Sequence, residues 1–363
     1  MQLKQALTAA VDRLEAADVG SPRLNAEVLL MFVLGVHRAY LYAHPERELT
    51  GEENSRYDEV LAQRSTGMPS QYITGHQEFW GLDFVVTPAV LIPRPETEHL
   101  VETVLELARV VPSPKIVDVG TGSGCIALSL AHELKGAEVY AVDLSADALE
   151  IARANAARLQ LDGRVKFAQC DVLTPVQNEG VISSAAKRSR ATSIVAGITL
   201  GDFDFVVSNP PYVGFDEADK VQKSVRDFEP RVAVFSGERG LDVIGPLIEQ
   251  AHAALKPKGW LAMEIGYSMR DAVVNLLDAE KWEDVRVVPD LQGIANVEAS
   301  DSYLESVRNP AIRGVSNASD DSPDDSVDLA HVRALAVAAH ALVAADPERS
   351  KELLRELMRL LDE

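Results

Sequence analysis

The chain has 363 residues, 47% of them hydrophobic, and a formal net charge of −21. This length allows two domains with a sizeable core, and no apolar run reaches a membrane span, so no membrane partner is expected. The acid excess argues against direct sequence-specific nucleic-acid binding, which needs a basic face for the phosphates, and the only cysteines, Cys125 and Cys170, exclude a disulfide scaffold and fit a reducing, cytoplasmic setting.

Met1 to Gln5 begins an amphipathic helix and lacks the charged start and apolar core of a signal peptide. Leu3, Leu7, Val11 and Leu14 recur at helical spacing, as do Ala26, Leu29, Leu30, Val33 and Leu34. Ser21-Pro22-Arg23 opens the second helix with proline in its first turn. Leu41 to Glu48 reads as a connector. Glu52 to Arg64 reads as another helix, ended by Gly67 and Pro69. Residues 1–76 are therefore expected to form a small helical bundle domain.

Gln77 to Val86 reads as a strand hairpin that turns at Gly81-Leu82-Asp83. In the next segment, Leu91 to Glu98, Pro93 and Pro95 stiffen the chain, and Thr97 is expected to begin a helix running to about Val110. Arg94 and Glu96 on this segment are either an ion pair on a linker or a wall of a cleft.

From Pro112 onward strands and helices alternate, which implies a mostly parallel sheet with helices on both faces. Lys115 to Val119 is the first strand. Gly120, Thr121, Gly122, Ser123 and Gly124 follow it, before a helix from Cys125 to His132. Alternate glycines let the backbone turn tightly and approach a ligand closely. The spacing is Gly-x-Gly-x-Gly, not that of a dinucleotide loop. A second strand, Glu138 to Val142, ends in Asp143. That acid can accept both hydroxyls of a ribose, or it can cap the helix that Ser145-Ala146-Asp147 opens. A third strand, Val165 to Gln169, ends near Asp171, which is an acceptor for an adenine amino group or a plain turn residue.

Phe203 to Val207 is an apolar strand that closes on Ser208 and then on Asn209, Pro210, Pro211 and Tyr212. The prolines lack N–H donors, so their carbonyls and the Asn209 side-chain oxygen can accept hydrogen bonds from a substrate –NH2, while Tyr212 can stack on its flat face. An amide or exocyclic amino nitrogen is a poor nucleophile. Acceptors aimed at its hydrogens stabilise the positive charge that develops as it attacks. The Gly120–Gly124 loop, Asp143, Asp171 and Asn209 all lie at strand ends, where open α/β sheets bind ligands. Together they fit S-adenosylmethionine as cofactor and an in-line methyl transfer. No cluster of Cys, His and acidic residues has metal-ligand spacing.

Residues 177–201 interrupt the alternation and carry Lys187-Arg188-Ser189-Arg190, and they read as a surface insertion. Gly259 to Ile265 and Asp284 to Val288 are later strands. The Ser- and Asp-rich stretch 309–328 reads as a disordered linker, and Leu329 to Leu361 as a helical hairpin with Asp346 as N-cap and Pro347 behind it.

Several stretches taken together resemble the HemK/PrmC family, the glutamine methyltransferases of class I peptide-chain release factors. They are Pro69 to Gly75, Glu78 to Leu82, Leu91 to Glu98, Asp118 to Cys125, Ala141 to Asp143 and Ser208 to Tyr212. Phe228-Glu229-Pro230 and Leu241-Asp242 also match. The resemblance covers residues 1 to about 294 and implies an α/β fold: a Rossmann-like class I S-adenosylmethionine-dependent methyltransferase with a small N-terminal helical bundle. It implies a release-factor-binding domain over 1–76, and a hairpin linker with the methyltransferase domain over 77–309. The remainder, 310–363, falls outside it. The implied reaction methylates the glutamine side-chain amide of a release factor's Gly-Gly-Gln motif. Gly120, Thr121, Gly122, Ser123, Gly124, Asp143, Asp171 and Val172 would hold the cofactor. Asn209 would contact cofactor and substrate, with Pro210, Pro211 and Tyr212 on the glutamine amide. Asn209, Pro210 and Tyr212 are the catalytic candidates.

Two other readings remain open: methylation of an adenine amino group in DNA or RNA, and a non-catalytic relative that only binds S-adenosylmethionine. After Asp290-Leu291-Gln292-Gly293-Ile294 the run Ala295 to Tyr303 has few β-branched or apolar residues, so the last strand of the sheet is expected to be weak or absent.

Overall fold

In a computed structural model, residues 1–175, 194–195, 198–199, 201–289 and 295–301 are described. The linker and helical hairpin expected over 310–363 lie outside them. So does the expected insertion, apart from Gly201 and a short antiparallel pair, Ile194–Val195 with Ile198–Thr199.

Five helices come first: α1 (Leu3–Ala16), α2 (Pro22–Leu34), α3 (Arg38–Ala43), α4 (Gly51–Ser65) and α5 (Ser70–Thr74). They share their own core, with Leu3, Ala6, Ala10, Leu14, Ala26, Leu29, Leu30 and Tyr57 buried in it. The stripe of α1 is thus carried by two leucines and two alanines, whose small side chains let α2 approach. Leu7 and Val11 are only partly covered. The segment expected to be a connector, Leu41 to Glu48, instead opens inside α3, where Leu41 is buried in the same core. Helix α4 starts with a capping box, the Thr50 hydroxyl accepting from the Glu53 N–H at 3.2 Å and the Glu53 carboxylate accepting from the Thr50 N–H at 2.9 Å.

The hairpin is β1 (His76–Phe79) with β2 (Leu82–Val85), joined at Trp80-Gly81 and not at Gly81-Leu82-Asp83. Both turn residues have positive φ, 54° and 68°, the pattern of a type I′ turn whose twist suits a two-residue hairpin. This register places Phe79 and Phe84 together in the core, with ring centroids 6.2 Å apart. The buried side chain of Asn155 continues the strand ladder. Its Oδ1 accepts from the Val85 N–H at 2.7 Å, and its Nδ2 donates to the Val85 carbonyl at 3.0 Å and to the Ser123 carbonyl at 2.9 Å. The hairpin is thereby tied to the glycine-rich loop.

The remaining elements are α6 (Glu98–Ala108), β3 (Lys115–Val119), α7 (Cys125–Glu133), β4 (Glu138–Asp143), α8 (Ala146–Arg158), β5 (Val165–Asp171) and β6 (Thr174–Pro175). After the short β7–β8 pair at 194–199 come β9 (Phe203–Ser208), α9 (Lys223–Phe228), α10 (Arg231–Val234), α11 (Ile244–Ala254), β10 (Leu255–Glu264), α12 (Arg270–Val274), β11 (Trp282–Pro289) and β12 (Ala295–Asp301). The main sheet runs β11-β12-β10-β9-β3-β4-β5-β6. Strands β10, β9, β3, β4 and β5 are parallel, and β12 is antiparallel to both of its neighbours. Buried apolar side chains pack on both faces of this sheet.

The last strand corrects the sequence reading. Ala295–Asp301 is a strand of the sheet, since it sits between β10 and β11 and pairs with each. A strand with a ladder on both sides pairs the N–H and C=O groups that point to each neighbour, where an edge strand leaves one set unpaired, and that outweighs a composition poor in β-formers.

Candidate active site

The register brings the candidate residues to one edge of the sheet. Val119 pairs with Ser208 on one side and with Val142 on the other, and Asp143 pairs with Gln169. The glycine loop, Asp143, Asp171 and Asn209 therefore leave four adjacent strands at their carboxyl ends.

The loop is held from below. The N–H groups of Gly120 and Thr121 both donate to the Val142 carbonyl, at 2.9 and 3.0 Å. Asp143 uses one oxygen to accept from the Gly122 N–H at 2.8 Å and the other to accept from the Ser145 N–H at 2.8 Å. It does not cap the next helix, because Ser145 does so through its own hydroxyl. Burial pushes the Asp143 carboxyl up, opposed by these backbone donors. Gly120, Gly122 and Gly124 have φ of +72°, +55° and +84°. A Cβ at Gly120 or Gly122 would meet no protein atom within 4 Å, whereas one at Gly124 would run against Leu128 and Ala152. The first two glycines therefore leave open space above the loop, and the third packs it onto the helices. Thr121 and Ser123 are buried, so the loop presents main chain. Val172 lies in a tight turn between β5 and β6 with φ of +55°, a strained conformation for a β-branched residue. Asp171 beside it is exposed.

Beneath the loop is a group that was not among the site candidates. Asp118 is wholly buried; its Oδ2 accepts from the Thr121 hydroxyl at 2.6 Å and from the Ala127 N–H at 3.2 Å. Among the described residues its Oδ1 meets no hydrogen-bond partner. Burial pushes this carboxyl up to about 7 against the two donors, and Asp143 adds to the rise. The thiols of Cys125 and Cys170 are pushed up by burial to about 12 and about 11, which leaves neither a ready nucleophile.

The Asn209–Tyr212 corner is fixed on three sides. Ser208 donates its hydroxyl to the Val119 carbonyl at 2.7 Å. Asn209 donates its Nδ2 to the Thr97 hydroxyl at 3.0 Å, and Thr97 in turn donates to Glu264 Oε2 at 2.7 Å. Pro210 is buried, and Pro211 and Tyr212 are partly exposed. Tyr212 is pressed between glycines: a Cβ at Gly240 would run into its carbonyl, and one at Gly266 would lie 3.1 Å from its ring. Gly240 also has φ of +76°. Gly240→Ala should therefore destabilise the protein by about 2–4 kcal/mol, from the left-handed backbone and the forced shift together. The check is chemical denaturation beside Gly245→Ala, where a Cβ meets nothing within 4 Å. Equal midpoints would show that the packing against Tyr212 is slack.

Thr97 stands at the start of α6, as expected, but its hydroxyl is used elsewhere. A short 3-10 turn, Pro95–Thr97, precedes α6, and the Thr97 hydroxyl makes no capping bond. Arg94 pairs across the fold with the buried Glu229 at 2.5 Å, and the second Glu229 oxygen accepts from the Ile92 N–H at 3.2 Å. The proline-stiffened segment thus lies against the Asn209 corner and is clamped there by the loop that follows it. Glu264 gave no sequence signal, because it is one acid at the end of an apolar strand.

Two family models match the chain: the PrmC N-terminal domain over residues 5–75 and a methyltransferase domain over residues 112–285. A release factor glutamine methyltransferase from Koribacter versatilis is 54% identical over 297 residues, 82% of this chain and 97% of that protein. One from Moorella thermoacetica is 43% identical over 81% of this chain and 96% of that protein. One from Nitratidesulfovibrio vulgaris is 38% identical over 80% and 92%. With relatives matched at this identity over nearly their whole length, the chain belongs to the family of release factor glutamine methyltransferases.

Proposed function

We propose that the protein transfers a methyl group from S-adenosylmethionine to the glutamine side-chain amide in the Gly-Gly-Gln motif of class I peptide-chain release factors. The observation that carries this reading is the Asn209–Tyr212 corner standing beside the glycine loop, with Ser208 paired to Val119. The loop fits the cofactor: positive-φ glycines leave a main-chain cradle that a Cβ would fill, next to an acid at the following strand end. When bound, S-adenosylmethionine supplies an electrophilic methyl group.

The chain's own residues do the rest. Gly120, Thr121, Gly122, Ser123 and Gly124 contribute backbone to the cofactor, since Thr121 and Ser123 are turned inward. Asp143 retains lone-pair capacity beyond its backbone bonds and accepts the ribose hydroxyls. Asp171 and Val172 border the adenine. Asn209 keeps Oδ1 for the substrate because Nδ2 is committed to Thr97. That oxygen and the Pro210 carbonyl draw on the two N–H groups of the glutamine amide. Pro211 and Tyr212 hold its plane. As the nitrogen gives up its lone pair, its hydrogens become more acidic and these bonds strengthen, which lowers the barrier. The product amide then loses its extra proton to water. The helices of residues 1–76 would bind the release factor, in the cytoplasm, and no contact with nucleic acid is required.

The test is to incubate the protein with isotopically labelled S-adenosylmethionine and either a release factor or duplex DNA. Mass spectrometry should find one methyl on the Gly-Gly-Gln glutamine and none on adenine. Label on adenine alone would overturn the reading in favour of a nucleic-acid methyltransferase. Label on neither substrate would also overturn it.

A further inference from the structure

The geometry points to Glu264 and Thr97 as positioning residues that set the direction of the Asn209 amide, so that its oxygen and not its –NH2 faces the substrate. This deepens the proposed reaction and rests on it for the substrate's identity.

The Glu264 carboxylate, 3% exposed at the end of β10, offers only acceptors. Thr97, 2% exposed, has a single hydroxyl hydrogen and spends it on Glu264 Oε2 at 2.7 Å. Its oxygen then has only lone pairs left for Asn209, 3.0 Å away. A lone pair accepts a donor and repels another acceptor, so the –NH2 end of Asn209 must lie there and Oδ1 must point away. An asparagine amide is almost symmetric in shape, so packing alone discriminates poorly between its two orientations. A flipped amide would present N–H groups to a substrate that is itself an –NH2, which puts donor against donor. The second oxygen of Glu264 faces the Tyr212 hydroxyl at 3.4 Å. Burial, and then the charge of Glu264, raise the Tyr212 phenol above its ordinary value, so it stays a donor. One buried carboxylate thus aligns both ends of the corner, drawing on the 95–97 turn, β9 and β10.

The test compares Thr97→Val, Thr97→Ser and Glu264→Gln. Valine keeps the shape of threonine without the hydroxyl. Glutamine can donate to Thr97 and so frees the threonine hydrogen to turn toward Asn209. Thr97→Val and Glu264→Gln should each lower kcat by about 10- to 100-fold, by analogy with the loss when the hydrogen-bond partner that orients a metal ligand is removed. The dissociation constant for S-adenosylmethionine should change less than about threefold, or about 0.7 kcal/mol. Thr97→Ser should recover most of kcat. A structural role alone would not give this division between turnover and cofactor affinity, nor the rescue. A second readout needs no turnover. The side-chain amide resonance of Asn209 in a 15N spectrum, identified by its loss in Asn209→Ala, should move in Thr97→Val and Glu264→Gln and return in Thr97→Ser. If wild type fails to methylate the release factor, the proposed reaction falls and the resonance decides the positioning claim. A resonance unmoved by Thr97→Val, or an unchanged kcat in an active enzyme, overturns the positioning claim.

Discussion

Asn209→Ala should reduce kcat for release-factor methylation by about 100- to 1,000-fold, the range found when one preorganised hydrogen-bonding group is taken from charge developing in a transition state. In the proposed reaction Asn209 Oδ1 is the side-chain acceptor of the corner, and its bond to the substrate amide would strengthen only as the nitrogen becomes positive. The loss should therefore fall on kcat more than on KM. The fold should survive. Asn209 is partly exposed, and truncation leaves the Thr97 to Glu264 hydrogen bond in place. Cofactor affinity should fall by less than about tenfold, or 1.4 kcal/mol, because the glycine loop and Asp143 are held to β4 independently of the corner. Single-turnover transfer of labelled methyl, with titration calorimetry for the cofactor, separates the two quantities. A variant that turned over near the wild-type rate would remove Asn209 from the chemistry altogether.

The second large effect is on stability and comes from Asp118. Its carboxyl is raised from 3.8 to about 7 by complete burial. Below the lower value both folded and unfolded chains hold the proton, and the group is neutral in its effect. Between the two values the unfolded chain has lost the proton and the folded chain keeps it. Folding then takes up a proton, and stability falls as pH rises. Each pH unit costs about 1.4 kcal/mol, so the deficit approaches roughly 4 kcal/mol above neutrality. The sign is opposite to that of a salt-bridged carboxylate. Asp118→Asn reproduces the shape of the neutral acid and should abolish this contribution. Urea denaturation of the cofactor-free proteins at pH 5 and pH 8 should show the variant gaining on wild type by roughly 2–3 kcal/mol at the higher pH. Other carboxylates affect both proteins alike and drop out of the difference. A constant difference between the two would mean that Asp118 is ionised throughout, which its unpartnered Oδ1 makes hard to sustain.

Why does the fold keep such an acid? It stands at the turn from β3 into the loop. It accepts from the hydroxyl of Thr121 and from the N–H of Ala127, the latter in the first turn of α7. Those two bonds hold the loop in the shape that leaves open space at Gly120 and Gly122. The stability lost by burying a carboxyl is set against a preorganised cradle.

The central parallel strands and the residues that close them can be read from the order of residues in the chain. Apolar runs closed by glycine, proline or an acid mark where a parallel strand must stop, and the chemistry of a neutral nitrogen requires acceptors such as those of Asn209 and Pro210. Both are local properties of short stretches. What stands behind those residues comes from segments distant in the chain. Thr97 reads as a helix start and Glu264 as an ordinary strand end. They meet because β10 lies beside β9 and the proline-stiffened turn is clamped by Glu229. The same holds for Ala295–Asp301, a poor strand by composition that forms because β10 and β11 offer it a ladder on each side. A hydrogen bond between residues 167 positions apart depends on where the backbone brings them and leaves no periodicity to read.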